Sequence, residues 1–166
     1  DYNPKPLAGD SHLLALNRNG LVTAIGGNYS SQTNVPVDLS NVVAVAAGGQ
    51  HSLALKSDGT VVAWGASFCG QTSVPPGLTN VVAITAGLAS SLALKNDGTV
   101  EAWGCFDNLG SAYSPPGLSG VSALGGGNTH AMALVNDLLP PTISSGPSNR
   151  TNNAGTAATF TVQATG

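Results

Sequence analysis

The sequence contains few charged residues, and this scarcity excludes one class of partner. Only 8% of its 166 residues are charged, and the five Lys and Arg residues are scattered along the chain. Proteins that bind nucleic acid gather basic side chains into a patch or stripe that neutralises phosphates. Because this sequence has no such stripe, we expect no nucleic-acid partner.

Long apolar runs are absent as well. No segment approaches the roughly 18 consecutive apolar residues of a membrane-spanning helix, so the sequence predicts no membrane span. The chain begins with Asp1, and its only methionine is Met132. We therefore expect a processed product or an excised piece of a longer protein.

Motifs of catalytic chemistry are also missing. The sequence shows no Ser-His-Asp constellation, no phosphate-binding loop and no paired carboxylates at catalytic spacing. Asp107 and Asn108, in the segment CFDNLG (105–110) that interrupts the pattern described next, do not make an active site by themselves. We predict that the protein is not an enzyme and has no catalytic residue and no cofactor.

What the sequence does contain is an internal repeat. The segment HSLALKSDGTVVAWG (51–65) returns as SSLALKNDGTVEAWG (90–104), 39 positions later. A degraded copy begins in the same register at His12, and a shortened copy begins at His130. Repeats of this length are typical of solenoids, propellers and arrays.

Each copy predicts short strands joined by a tight turn. Segments such as NVVAVAAGG (41–49) and TVVAWG (60–65) are rich in Val, Ala and aromatic residues, lack a helical apolar stripe, and are bounded by Gly, Pro and Asn. Asp58-Gly59 and Asp97-Gly98 predict hairpin turns, because these residue types tolerate positive φ angles. We assign both aspartates to turns rather than to acid chemistry. One unit then holds three or four strands, the content of one propeller blade.

The repeat pattern G-x-x-H-S-L-A-L-x-x-D-G-x-V-x-x-W-G, followed by a Gly-Gln loop, resembles the repeat of the regulator of chromosome condensation family over about residues 7 to 137. The resemblance implies an all-β fold of three to four propeller-type blades. The sequence departs from the family where Ser90 replaces the histidine, where Ile25 replaces the aromatic residue, and in its shorter units. The short form is similar to repeats of large secreted bacterial proteins, which often adjoin immunoglobulin-like modules.

The composition changes near residue 139, and this change predicts two regions. We assign residues 1–138 to propeller repeats and residues 139–166 to a Pro-rich linker with a partial immunoglobulin-like strand segment. A sandwich needs about seven strands, so the tail is expected to be a fragment boundary, a flexible tail or a strand that pairs with another sheet. In the last case Phe160 and Val162 belong to the assembly strand.

The periodic histidines and tryptophans allow two interpretations each. His12, His51 and His130 share one register and could surround a metal ion, but repetition favours histidines that bond the backbone of their own or the adjacent blade. We predict no metal site. Trp64 and Trp103 could stack on sugars, yet a periodic aromatic residue in a blade is usually core, and we favour the core.

The cysteines and two sequons bear on the compartment. Cys69 and Cys105 lie in loops of consecutive units, so a disulfide is plausible and would fit an oxidising compartment. Two separate thiols are the alternative, because Cys105 falls three positions short of the register of Cys69. Asn28 and Asn149 begin sequons compatible with glycosylation. With the low charge, these features favour an extracellular or cell-surface protein.

The number of blades points to a function. The sequence holds four copies of the histidine strand and three of the following strand, whereas propellers usually close with about four to eight blades. We expect the open faces to be covered by further repeats, an identical subunit or an added strand. The leading hypothesis is a non-enzymatic extracellular structural or interaction module that self-associates into a ring or filament with identical subunits. The alternative is a propeller that binds glycans or other extracellular proteins through its inter-blade loops, residues 29–32, 68–71 and 106–109.

Overall fold

The computed structural model describes residues 7–107, 110–111, 118–135, 142–145 and 163–165. Every regular element in these residues is a β-strand, and the strands form five antiparallel sheets. The prediction of an all-β fold is confirmed. None of the described residues belongs to a helix that could cross a membrane.

The first four sheets follow the sequence repeat, and each is one blade. Within a blade the strands pair with their neighbours in chain order. Blade 1 comprises β1 (Leu7–Ala8), β2 (His12–Leu16) and β3 (Val22–Gly26). Blade 2 comprises β4 (Val42–Ala47), β5 (His51–Lys56) and β6 (Val61–Gly65). Blade 3 comprises β7 (Val81–Ala86), β8 (Ala89–Lys95), β9 (Val100–Asp107) and β10 (Gly110–Ser111). Blade 4 comprises β11 (Val121–Gly126) and β12 (Ala131–Val135).

The fifth sheet lies in a separate compact unit. The chain divides into Asp1–Asn136, which holds the four blades, and Asp137–Gly166. In the second unit β13 (Thr142–Ser145) pairs antiparallel with β14 (Gln163–Thr165). The end of the predicted tail strand therefore pairs within its own chain, whereas Phe160 and Val162 lie outside the described residues. An immunoglobulin-like identity for this unit stays a prediction.

The hairpin turns form as three-residue loops with one left-handed residue. Gly59 N donates to Lys56 O at 3.0 Å, and Lys56 N donates to Thr60 O at 2.9 Å. Gly59 has a φ of 78°, while Asp58 keeps a negative φ. The Asp58 carboxylate instead accepts from the Thr60 backbone N–H at 3.0 Å. This is the loop in which a turn is followed by a glycine bulge, not the two-residue turn that needs two positive φ angles.

The apolar core lies between the blades. We call the face that a blade turns toward the next blade in the chain its forward face, and the opposite one its back face. The blade 1 forward face packs on the blade 2 back face through Leu14 and Val22 against Val42, Val45, Ala54 and Trp64. The blade 2 forward face packs on blade 3 through Ala46, Leu53 and Leu55 against Val81, Ala93 and Trp103. The blade 3 forward face packs on blade 4 through Leu92, Leu94 and Val100 against Val121 and Leu124.

Candidate functional site

A buried polar network joins blade 1 to blade 2. His12, at the start of β2, places its Nε2 atom 2.8 Å from the Ser52 hydroxyl oxygen in β5. The Ser52 hydroxyl donates to the backbone carbonyl of Gln32 at 2.8 Å. The Trp64 indole N–H donates to the same carbonyl at 2.8 Å. The loop between the blades is thereby bonded to β5 and β6 of blade 2.

The same network recurs between blades 2 and 3. His51 Nε2 lies 3.0 Å from the Ser91 hydroxyl oxygen. The Ser91 hydroxyl donates to the carbonyl of Gln71 at 2.8 Å, and the Trp103 indole N–H donates to that carbonyl at 2.9 Å. We call this set of His, Ser, Gln and Trp the junction network. Because the junction network recurs between blades 1 and 2 and between blades 2 and 3, we assign it to the joining of adjacent blades.

The direction of the serine bond fixes the tautomer of the histidines. Because each serine proton goes to a glutamine carbonyl, the serine oxygen accepts from the histidine Nε2–H. The Nδ1 atoms of His12 and His51 are then deprotonated, and both are buried without a hydrogen-bond partner. The pKa of His51 is lowered to about 4, mainly by burial and also by repulsion from His12, while a backbone bond with Ser90 opposes the shift. Burial also lowers the pKa of His12, so both rings are neutral at pH 7.

The side chains of Gln32 and Gln71, the two junction glutamines, differ in one hydrogen bond. Each side-chain oxygen accepts from the backbone N–H two residues earlier. Gln32 Nε2 donates to the Ser11 hydroxyl at 3.2 Å, whereas Gln71 Nε2 is buried without a partner. The reason is that Gln50 stands in blade 2 where blade 1 has Ser11. Gln50 accepts instead from the Ser30 hydroxyl at 2.9 Å.

The junction between blades 3 and 4 lacks the network. Ser90 and Ala131 occupy the positions of the histidine and serine, and no glutamine occurs in residues 104–120. The Ser90 hydroxyl is buried without a hydrogen-bond partner. The network members are thus present together at two junctions and lost together at the third.

The short loops that precede the histidine strands meet in a cleft of about 140 Å³. Its lining is mostly glycine and alanine, with Asp10 as the one carboxylate. Backbone bonds link the loops of adjacent blades, from Gly49 N to Gly87 O at 3.2 Å and from Leu88 N to Asn128 O at 2.9 Å. Glycine is required at position 48, because a Cβ there would collide with the His51 ring. Polar groups in the cleft are therefore mainly backbone.

The structure places the periodic histidines and tryptophans as follows. His12 and His51 are buried, and their partners are serine hydroxyls of the next blade rather than only backbone atoms. His130 is exposed. Among the described residues no three metal-ligating side chains come together. Trp64 and Trp103 lie in the core.

The other predicted positions fall in turns and loops. The carboxylates of Asp58 and Asp97 bond their own turns, and bonds from Thr60 and Thr99 respectively are the main cause that lowers their pKa values to about 2. The structure joins Cys69 and Cys105 in a disulfide with Cα atoms 5.7 Å apart. Of the two asparagines that begin sequons, Asn28 is exposed, and Asn149 lies outside the described residues.

Sequence reasoning missed the serines and glutamines of the junction network. Ser52 and Ser91 are 39 positions apart, as are Gln32 and Gln71. A polar residue that recurs inside an apolar strand is the signal that could have found the serines. Their partners were hidden because the histidine-serine bond crosses from one blade to the next and the glutamine carbonyl lies in the loop between them.

Both ends of the blade array expose apolar side chains that are buried inside it. In blade 4, Met132 is 65% exposed and Leu134 is 60% exposed, whereas the matched leucines of blades 2 and 3 are at most 5% exposed. These blade 4 residues line a shallow apolar cavity of about 360 Å³. In blade 1, Ile25 is 63% exposed at the register of the buried tryptophans.

Two aromatic residues are exposed on the inter-blade loops. Tyr29 is 94% exposed and Phe68 is 68% exposed. They are 39 positions apart, so they occupy the same place in consecutive loops. These side chains are available to a ligand.

Comparison with known proteins agrees with this architecture. The regulator of chromosome condensation (RCC1) repeat matches residues 42–71, which include blade 2 and the loop after it. Among curated proteins, none matches this chain.

Solved structures show the same fold. Prp20p from Saccharomyces cerevisiae is 23% identical with a TM-score of 0.67 over 82% of this chain and 44% of that one. Yeast RCC1 (Prp20) bound to Kap60 is 25% identical with a TM-score of 0.65 over 81% and 42%. The CRINKLY WD40 ectodomain of the Arabidopsis thaliana receptor kinase ACR4 is 21% identical with a TM-score of 0.61 over 79% and 45%. The chain thus spans less than half of the length of these structures.

Proposed function

We propose, from an RCC1-type propeller fold whose two end blades expose apolar faces, that the chain is a non-enzymatic protein-interaction module that assembles blade against blade. Its partner in this proposal is an identical subunit, and the product is a ring or a filament. Contact between two different surfaces of one chain closes a ring or grows a filament according to its rotation.

The observation behind this proposal is the exposure of Met132 and Leu134. In blades 2 and 3 the residues at these registers pack against the following blade. The blade 4 forward face therefore has the composition of an internal junction but is open to solvent. Exposed apolar patches of this kind mark interaction sites.

The distribution of polar groups supports a binding role rather than catalysis. The buried polar side chains of blades 1 to 3 are mainly those of the junction network, where they hold blades together. The aspartates at the hairpins bond their own turns. Among the described residues, both sets thus make hydrogen bonds within a turn or between adjacent blades.

Two observations support an extracellular setting. The disulfide between Cys69 and Cys105 belongs to an oxidising compartment. One structurally similar protein is the ectodomain of a plant receptor kinase. Titration of free thiols in the unreduced protein, purified from its native source, tests this proposal, and two free thiols per chain would contradict it.

The assembly proposal predicts that a charge on the blade 4 face weakens self-association. Leu134→Asp should raise the dissociation constant at least about tenfold, because the contact would bury an unpaired carboxylate. The measurement is sedimentation velocity over a range of protein concentrations, with negative-stain images to separate rings from filaments.

A matched control distinguishes the face from general loss of apolar surface. Val82 is 55% exposed, close to the exposure of Leu134, and Val82→Asp should leave association unchanged. A wild-type chain that stays monomeric at all concentrations would refute the assembly proposal.

A second candidate function rests on the exposed loop aromatics. Tyr29 and Phe68 repeat at the spacing of the blades and could stack on successive sugar rings, since aromatic faces bind apolar sugar surfaces. Tyr29→Ala and Phe68→Ala should each abolish most binding on a glycan array, whereas Tyr29→Phe should retain it. Equal binding by all variants would exclude this site.

A further inference from the structure

On the basis of the proposed assembly through end faces, we infer that the blade 4 forward face binds a propeller blade with a serine at the register of Ser52 and a tryptophan at the register of Trp64. A second copy of blade 1 is a poorer match, because it lacks both residues.

His130 occupies in blade 4 the position that His51 occupies in blade 2. Gly127 N donates to His130 O at 2.8 Å, as Gly48 N donates to His51 O at 2.9 Å. In both blades the histidine ring occupies the space that a Cβ on that glycine would need. His130 is therefore held as His51 is, at the place from which His51 donates to the serine of the following blade.

An apolar surface on blade 4 corresponds to one that is covered in blade 2. The cavity on blade 4 is lined in part by Ala123, Gly125, Met132 and Leu134. The matched residues of blade 2 are Ala44, Ala46, Leu53 and Leu55, and they belong to the cluster that contains Trp103 of blade 3. The open cavity thus corresponds to a surface that receives a tryptophan inside the molecule.

The residues of the junction network occur together. Histidine, serine and glutamine are all present at the first two junctions and all absent at the third. This pattern follows from energetics, since a buried histidine whose N–H lacks an acceptor is destabilising. A histidine kept at position 130 therefore specifies a neighbour that brings a hydroxyl.

Blade 1 does not match the forward face of blade 4. Leu13 stands at the register of Ser52, and Ile25 stands at the register of Trp64. A contact between copies would place the His130 ring against Leu13, which can neither accept nor donate a hydrogen bond. Such a contact between copies would be apolar and would leave this histidine unpaired.

The experiment supplies the missing hydroxyl within the protein itself. Leu13→Ser should tighten self-association about three- to tenfold, the usual effect of one hydrogen bond in water. Leu13→Ala is the matched control, since it removes the same bulk without adding an acceptor, and it should weaken association. Both dissociation constants are measured by sedimentation velocity at neutral pH, and circular dichroism checks the fold of each variant.

The same substitution in a His130→Ala background decides the mechanism. There Leu13→Ser should weaken association, because the hydroxyl has lost its donor. A gain that persists without His130, or equal effects of Leu13→Ser and Leu13→Ala, would overturn the inference while leaving the assembly proposal intact.

If the wild-type chain is monomeric, the assembly proposal is refuted, and the inference is then tested with one further variant. Leu13→Ser combined with Ile25→Trp converts the blade 1 back face into a regular one. Association of this double variant that is lost on His130→Ala would support the inference. A double variant that stays monomeric would refute it.

Discussion

At the scale of single residues, His51 makes stability depend on mild acid. Burial holds its pKa at about 4, whereas a histidine in an unfolded chain has a pKa of about 6.5. As the pH falls, the unfolded state therefore takes up its proton first. The contribution of neutral His51 is complete above about pH 6.5 and is lost as the pH falls toward 4.

We expect the free energy of unfolding to fall by on the order of 3 kcal/mol between pH 7 and pH 4 because of His51. His12, whose pKa is lowered in the same direction, adds to the loss. His51→Ser, which copies position 90 of blade 3, should flatten the curve measured by urea denaturation. An equal dependence of the unfolding free energy on pH in the wild type and in His51→Ser would contradict the assignment of this loss to His51. The aspartates of the turns, with pKa values of about 2, lose their contribution at lower pH.

At the scale of elements, the hairpin turn of one blade packs on the entry to the next. Val81 N donates to Gly59 O at 3.2 Å, and Val121 N donates to Gly98 O at 3.1 Å. A Cβ on Gly59 would lie 3.2 Å from Asn80. The glycine therefore serves both the left-handed turn and the close approach of the following blade.

Comparison of Gly59→Ala with Gly77→Ala separates these two roles. Both glycines have a φ near 79°, but a Cβ on Gly77 would meet nothing within 4 Å. Gly77→Ala should cost about 1–2 kcal/mol of stability from the left-handed backbone alone, and Gly59→Ala should cost more. Thermal or denaturant unfolding measures both, and equal losses would show that crowding against Asn80 has no effect.

At the scale of the whole molecule, a disulfide links two blades covalently. The disulfide joins the loop after blade 2 to β9 of blade 3 across 36 positions. A loop of this length contributes about 3–4 kcal/mol in the chain-entropy treatment. Reduction should lower the melting temperature of the wild type. It should leave a variant with Cys69→Ala and Cys105→Ala unchanged, and a wild type insensitive to reductant would argue against the bond.

The blades could be predicted from the sequence alone, because the repeat marks where each blade begins and ends. The 39-residue spacing, the Asp58-Gly59 turn and the apolar strands each depend on neighbours within one unit, and the all-β fold followed from them. The junction network could not be predicted in this way. His12 meets Ser52 only through the packing of one blade on the next, and periodicity does not specify which face of a strand meets which neighbour. The blade count predicted open end faces, but the side chains exposed there could not be predicted, since Leu134 and Leu94 look alike in sequence and differ only in what covers them.

The unequal junctions have a consequence for the way the array comes apart. The first two are bonded through histidine, serine and glutamine side chains, whereas the third has apolar contacts and backbone hydrogen bonds but lacks these side-chain bonds. In a linear array, stability is approximately a sum over neighbouring units and their interfaces, so local opening concentrates at the weakest interface. We therefore expect blade 4 to open and reclose while blades 1 to 3 remain folded, and its amide protons should exchange with solvent before theirs. The end of the array that presents the unpaired face would then also be its most easily opened part.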